Sequence, residues 1–203
     1  MWALGLTGSI ASGKSTVREM FAELGVPTFS SDDAVHALYR GAAREPVEAL
    51  FPGVVHNGEI DRAELSRRVL GQPEKLKALE SVVHPLVRAE IARFLADAKS
   101  TGVALAVVDI PLLFEGGHHY GLDRVATTFA PDETIRARAL ARPGMTVEKL
   151  DAILARQLPQ DEKRKRADYV IDTGKSLQQT RAAVMALIDA LTRNPKPPSP
   201  DPE

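Results

Sequence analysis

An α/β fold built on a five-stranded parallel sheet with helices on both faces is predicted by three features of the 203-residue sequence. First, the apolar run at 2–6 leads through Gly8-Ser9-Ile10-Ala11-Ser12-Gly13-Lys14-Ser15-Thr16 into a helical pattern with Val17, Met20, Phe21 and Leu24 on one face. Second, short β-rich runs at 2–7, 26–30, 103–109, 125–130 and 169–172 alternate with helical stretches, the order that builds parallel sheets. Third, Val103-Ala104-Leu105-Ala106-Val107-Val108 is apolar throughout, as a central strand covered on both faces requires.

The glycine segment after the first strand has the spacing of a phosphate-binding loop. Gly8 and Gly13 let the backbone curl so that successive N–H groups point inward at an anion, where a Cβ would crowd. Lys14 reaches the β- and γ-phosphates of a nucleoside triphosphate in such a loop, and the Ser15 hydroxyl is a magnesium ligand. The helix opening near Gly13 aims its dipole at the same charge. Gly8, Ala11, Ser12, Gly13, Lys14, Ser15 and Thr16 are therefore the candidate nucleotide-binding residues. A glycine turn with no ligand is the plain alternative, and the strand before and helix after favour the nucleotide site.

The second strand runs into Ser30-Ser31-Asp32-Asp33 and a helical stretch. Carboxylates at the C-terminal end of a parallel strand lie on the edge where ligands bind, and one of these could take a proton from an attacking hydroxyl. Ser31 or Asp32 acting only as a helix cap fits the same residue order. Residues 33–99 then show helical spacing and no convincing strand, too long for a simple crossover, so a helical substrate-binding insertion is expected there. Within it His84-Pro85 opens a helical segment over 86–98, placing His84 near an N-terminus where it could meet a phosphate or serve only in packing.

The third strand ends at Asp109, before Ile110-Pro111, where an acid organises Mg²⁺ beside a phosphate loop or caps the following turn. Residues 136–166 are densely basic, with Arg142 beside Pro143-Gly144, where a helix stops and a lid could hinge. Such a run is commonly a solvated face; as a lid over about 138–166 it would bring arginines over a transferring phosphoryl group. A nucleic-acid patch is disfavoured because Tyr169 is the only aromatic near this run and offers no stacking platform. The domain is expected to occupy 1–192, followed by a proline-rich disordered tail over 193–203.

Composition narrows the class further. The chain has no cysteine, which excludes disulfides, thiolate catalysis and zinc–cysteine sites. A formal net charge of −1 provides no overall attraction to nucleic acid or a membrane surface. His118-His119 with Glu115 lacks metal-ligand spacing. No basic leader precedes a long apolar stretch and no run reaches membrane-spanning length, so a cytoplasmic protein is expected. A guanine-nucleotide switch would carry an Asn-Lys-x-Asp element, and Asn57 and Asn194, the only asparagines, stand in no such setting.

These residues resemble the bacterial dephospho-coenzyme A kinase family along nearly the whole chain, up to about Leu191. The resemblance is carried by the glycine loop from Leu6 to Val17, Leu24-Gly25 with Asp32, Val83-His84-Pro85-Leu86-Val87 and Asp109-Ile110-Pro111-Leu112-Leu113-Phe114-Glu115. It continues in Ile153-Leu154-Ala155-Arg156-Gln157 and Ala167-Asp168-Tyr169-Val170-Ile171-Asp172. It implies a P-loop kinase fold with core, lid and helical substrate-binding insertion. It also implies ATP-dependent phosphorylation of the ribose 3′-hydroxyl of dephospho-coenzyme A, with ATP and Mg²⁺ as cofactors and neither nucleic acid nor membrane as partner. By position Asp32 matches the family's base and Arg142 its lid arginine. The family usually has two acids separated by one residue here; this chain has Ser30 at the first place, leaving Asp32, or Asp33 if the strand shifts by one. Arg62, Arg88 and His84, with Leu112 in the Pro-Leu-Leu-Phe-Glu element, are the positional candidates for substrate contact.

Overall fold

Strand β1 (Trp2–Gly8) lies at the centre of a five-stranded sheet because every residue after Trp2 is buried, with Leu4 and Leu6 fully so. The computed structural model describes residues 1–193; the tail expected over 193–203 falls, from 194 onward, outside the described residues. Two compact units are present: Met1–Phe29 with the chain from Leu95 onward, and Ser30–Phe94.

The sheet order is β2 (Thr28–Ser30), β5 (Leu105–Asp109), β1, β6 (Arg124–Phe129), β7 (Tyr169–Asp172). β1 pairs in parallel with β5, Leu4 opposite Val107, and with β6, Leu6 opposite Ala126; β7 extends the sheet in parallel from β6. The all-apolar expectation for β5 holds, since its five residues are buried, including the terminal Asp109. On one face, helices α1 (Lys14–Glu23) and α9 (Leu177–Arg193) bury Val17, Met20 and Phe21 with Val184, Leu187 and Leu191 against Leu4, Leu6, Val107 and Ile171. Each fully buried side chain of this size contributes roughly 1.5–3 kcal/mol of transfer free energy. A second cluster joins α6 (Asp132–Leu140) and α7 (Val147–Leu154) through Ile135, Ala139 and Leu150 to Ala11 of the glycine loop. Helix α8 (Gln160–Arg166) completes the first unit.

The second unit contains α2 (Ser31–Arg40), α3 (Arg44–Leu50), the hairpin β3 (Val55–His56) and β4 (Glu59–Ile60), α4 (Arg62–Val69) and much of α5 (Pro73–Ser100). Glu48 accepts the N–H groups of Gly53, Val54 and Val55 at 2.6, 3.0 and 2.9 Å, which holds its carboxyl below the ordinary range and fixes the approach to the hairpin. Asp61 caps α4 by accepting the Ala63 and Glu64 N–H groups at 2.9 and 3.0 Å.

Two expectations for this region are corrected. The stretch 33–99 is not strand-free: Asn57 and Gly58, both at positive φ, turn a short antiparallel hairpin whose strands have two residues each. His84 does not begin a helix. It sits mid-way along α5, which runs 28 residues with Pro85 inside it. Proline removes one backbone donor, but Leu79, Val83, Val87 and Ile91 are buried at helical spacing through the site, and that packing carries the helix across it.

Candidate active site

The loop between β1 and α1 folds as the sequence implies. Gly13 precedes α1 with φ +85° and no side chain caps the first turn, so the N–H groups there are offered to a ligand. That turn contains no acidic residue that would oppose an anion. Gly8 is required by close approach: a Cβ there would overlap Thr128 Oγ1 and lie 2.6 Å from Ser12 Oγ. The two hydroxyls are themselves hydrogen-bonded at 2.6 Å in the buried floor of the loop. Thr173 Oγ1 donates to the Ser12 carbonyl at 2.7 Å, and Arg138 donates to the Thr173 carbonyl at 2.8 Å. On the opposite side the Ile10 N–H donates to Gln157 Oε1 at 3.0 Å.

Lys14 and Asp109 meet across the C-terminal edge of the sheet. The Lys14 ammonium donates to Asp109 Oδ1, and both groups are largely removed from solvent. An ammonium has three donors, so this ion pair leaves Lys14 two for phosphate oxygens. Ser15 is exposed at the start of α1, Thr16 half-buried behind it. Gly8, Ala11, Ser12, Gly13, Lys14, Ser15, Thr16 and Asp109 thus share one unit and one sheet edge. Leu112, 46% exposed, follows in the turn after β5. Arg142 is exposed between α6 and α7, where its N–H closes a turn onto the Ala139 carbonyl at 3.1 Å.

The basic run does not behave as one surface. Lys163 is 1% exposed and forms an ion pair with Glu115 Oε1 at 2.8 Å. Glu115 also accepts the Leu158 N–H at 2.9 Å. Burial pushes the Glu115 carboxyl up, but the Lys163 ammonium paired with it and the Leu158 N–H outweigh it and hold the group below its ordinary value of 4.5.

In the second unit Ser30, extended at φ −110°, caps α2 by accepting the Asp33 N–H at 3.1 Å. The alternative in which Ser31 or Asp32 supplies that cap is therefore corrected, and the Asp32 carboxylate stands exposed in the first turn. Asp32 and Arg62 border a cavity of about 580 Å³ with His36, Tyr39, Leu65 and Leu79. A second cavity of about 400 Å³ shares His36, Tyr39 and Arg62 and adds Arg40, His56 and Asp61. Burial pushes the Tyr39 hydroxyl pKa up, with the Arg62 charge pulling against it, so the phenol remains a donor at neutral pH. His84 and Arg88, both half-buried on α5, line neither cavity.

Sequence reasoning missed Thr128 and Thr173 and the roles of Arg138 and Gln157. The hydroxyls stand on β6 and just past β7, the sheet edge where open α/β folds bind ligands. That register was the available signal; no local motif marks Gln157.

The sequence model of the dephospho-CoA kinase family matches residues 2–179. The chain belongs to the dephospho-CoA kinase family. That family phosphorylates dephospho-coenzyme A to coenzyme A, the last step of coenzyme A biosynthesis. The chain is 56% identical over 191 residues to a dephospho-CoA kinase of Mesorhizobium japonicum, covering 94% of this chain and 97% of the relative. It is 53% identical over 195 residues to one from Brucella melitensis, covering 96% and 98%. Among solved structures, a Thermus thermophilus protein superimposes with TM-score 0.81 at 38% identity over 94% of this chain and 98% of that one. The dephospho-CoA kinase of Campylobacter jejuni does so with TM-score 0.68 at 27% identity, over 95% and 98%. Dephospho-CoA kinases are ATP-using P-loop kinases.

Proposed function

We propose that the P-loop holds Mg²⁺-ATP and that Asp32, at the start of α2, is the base that serves dephospho-coenzyme A. The observation that carries this reading is the freedom of Asp32. Ser30 caps α2, so the Asp32 carboxylate is not spent on the helix, and it borders the larger cavity while Asp33 does not.

In this mechanism the loop amides and Lys14 grip the β- and γ-phosphates, and Asp109 keeps the Lys14 ammonium at the sheet edge. The donor set fits Mg²⁺: the Ser15 hydroxyl and the Asp109 carboxylate are hard oxygens and would hold the ion. Bound there, Mg²⁺ would supply charge neutralisation to the phosphates. Asp32 orients the ribose 3′-hydroxyl and accepts its proton as the oxygen attacks in line. Arg142, in the exposed turn between α6 and α7, is the lid arginine that adds positive charge as the transition state forms, and the lid lies within 138–166. Leu112 packs against the acceptor. Among the described residues no helix is long and apolar enough to cross a membrane.

The acceptor's anionic diphosphate arm belongs with the cation that lines the two cavities. Arg62 is common to both, whereas His84 and Arg88 support substrate contact less directly. Arg62→Ala is expected to raise KM for dephospho-coenzyme A about ten- to hundredfold, the loss of a charged hydrogen bond, with KM for ATP unchanged. Steady-state kinetics with each substrate varied in turn check this, and an unchanged acceptor KM places the arm elsewhere.

A further inference from the structure

We propose that Gln157 is a positioning residue for the nucleotide loop: its side-chain oxygen fixes the backbone at Ile10 and thereby keeps Ala11 in the left-handed conformation the loop adopts. Ala11 has φ +57°. That region disfavours a residue carrying a Cβ, and such a conformation persists only where the surroundings over-determine it. Two hydrogen bonds to the backbone flank it. Thr173 Oγ1 donates to the Ser12 carbonyl on one side, and Gln157 Oε1 accepts the Ile10 N–H on the other. Thr173 follows a sheet strand and is part of the rigid floor. Gln157 follows α7 and is as well placed as that segment is anchored.

The anchor is the neighbouring residue. The Leu158 N–H donates to Glu115, and Glu115 is fixed by the buried Lys163 of α8. The restraint therefore runs from Lys163 through Glu115 and Leu158 to Gln157 and Ile10. Apolar packing of Ile10 and Ala11 with Leu150 and Leu154 of α7 runs alongside it. An uncharged acceptor suits this position, because a carboxylate would set a negative charge beside a loop that binds phosphates.

The inference rests on the loop being the ATP site, and its test separates the two claims. Gln157→Ala, Gln157→Met, Ala11→Gly and the Ala11→Gly/Gln157→Ala double variant are compared by ADP titration calorimetry and by KM for each substrate. Both Gln157 variants are expected to raise Kd for ADP and KM for ATP about five- to tenfold, the loss of one hydrogen bond, while KM for dephospho-coenzyme A stays unchanged. The volume-matched methionine keeps the comparison valid if alanine lowers the urea midpoint. Glycine populates positive φ without cost, so in the Ala11→Gly background the Gln157→Ala penalty should fall to about twofold. An unchanged ADP affinity, an equal penalty in both backgrounds, or parallel losses for both substrates overturns the positioning role. Failure of the wild-type enzyme to bind ADP would overturn the nucleotide site itself.

Discussion

Asp32→Asn is expected to lower turnover at saturating substrates about 10²- to 10⁴-fold, the range that a positioned general base contributes. KM for ATP should move by no more than about twofold, because the interaction removed forms as the proton leaves the acceptor rather than as nucleotide binds. Asparagine preserves the shape and one accepting oxygen but takes no proton, so the loss isolates proton acceptance from packing. Asp32 stands exposed in the first turn of α2, a position where the fold does not depend on it, so the variant should unfold at the wild-type urea concentration. Asp33→Asn, one residue along the helix and outside the cavity lining, should retain most of the rate. Equal losses in turnover and ATP affinity for Asp32→Asn, or a deeper loss for Asp33→Asn, would refute the assignment.

Lys163→Met is expected to destabilise the fold by about 3–5 kcal/mol near neutral pH, the cost of leaving one partner of a buried ion pair without the other. The pair lies well inside the P-loop unit: the Lys163 side chain is 1% exposed and that of Glu115 14%. The pH dependence follows from the sign of the shift. In the wild type the Glu115 carboxyl is held below its ordinary 4.5, so its contribution is present above that value and is lost as pH falls through the lower folded value. Without Lys163 burial dominates and the Glu115 pKa rises in the folded state, so the variant's deficit should shrink as pH falls to 4.5 and below. Urea denaturation across that range measures both. Lys163→Met/Glu115→Gln should recover part of the neutral-pH loss, since it removes both charges together. A deficit independent of pH would show that lost packing, and not the unpaired carboxylate, sets the cost.

The sheet and P-loop were legible in the sequence because each is encoded locally. The apolar run ending at Val108, the glycine spacing from Gly8 to Gly13 and the periodic Val17, Met20 and Phe21 do not depend on distant residues for their meaning. Pro85 misled for the complementary reason. Proline is read as punctuation, yet a long buried apolar face overrode its missing donor and carried α5 through it. The β3–β4 hairpin was missed because two-residue strands have no measurable alternation; Asn57-Gly58 was its one local sign. At the α2 start, Ser30, Ser31 and Asp32 are all good caps, and only the backbone turn decides that Ser30 serves.

The site was legible in part for the same reason. Lys14, Ser15 and Asp109 follow from a motif and a strand end, whereas Thr173 and Gln157 act on the loop from 161 and 147 residues away in the chain. Such contacts are set by topology and leave no mark in the neighbouring sequence. Lys163 shows the reverse error: a lysine among basic neighbours reads as solvated, and its burial depends on Glu115, far off in sequence.

The central claim is that phosphoryl transfer from ATP at the P-loop goes to dephospho-coenzyme A. It is tested most directly by following ADP release from Mg²⁺-ATP with dephospho-coenzyme A, adenosine, AMP, gluconate or water as acceptor, and weighing the product by mass spectrometry. The account predicts rapid release with dephospho-coenzyme A alone and a product of coenzyme A mass. Comparable release with another acceptor, or with none, would contradict it.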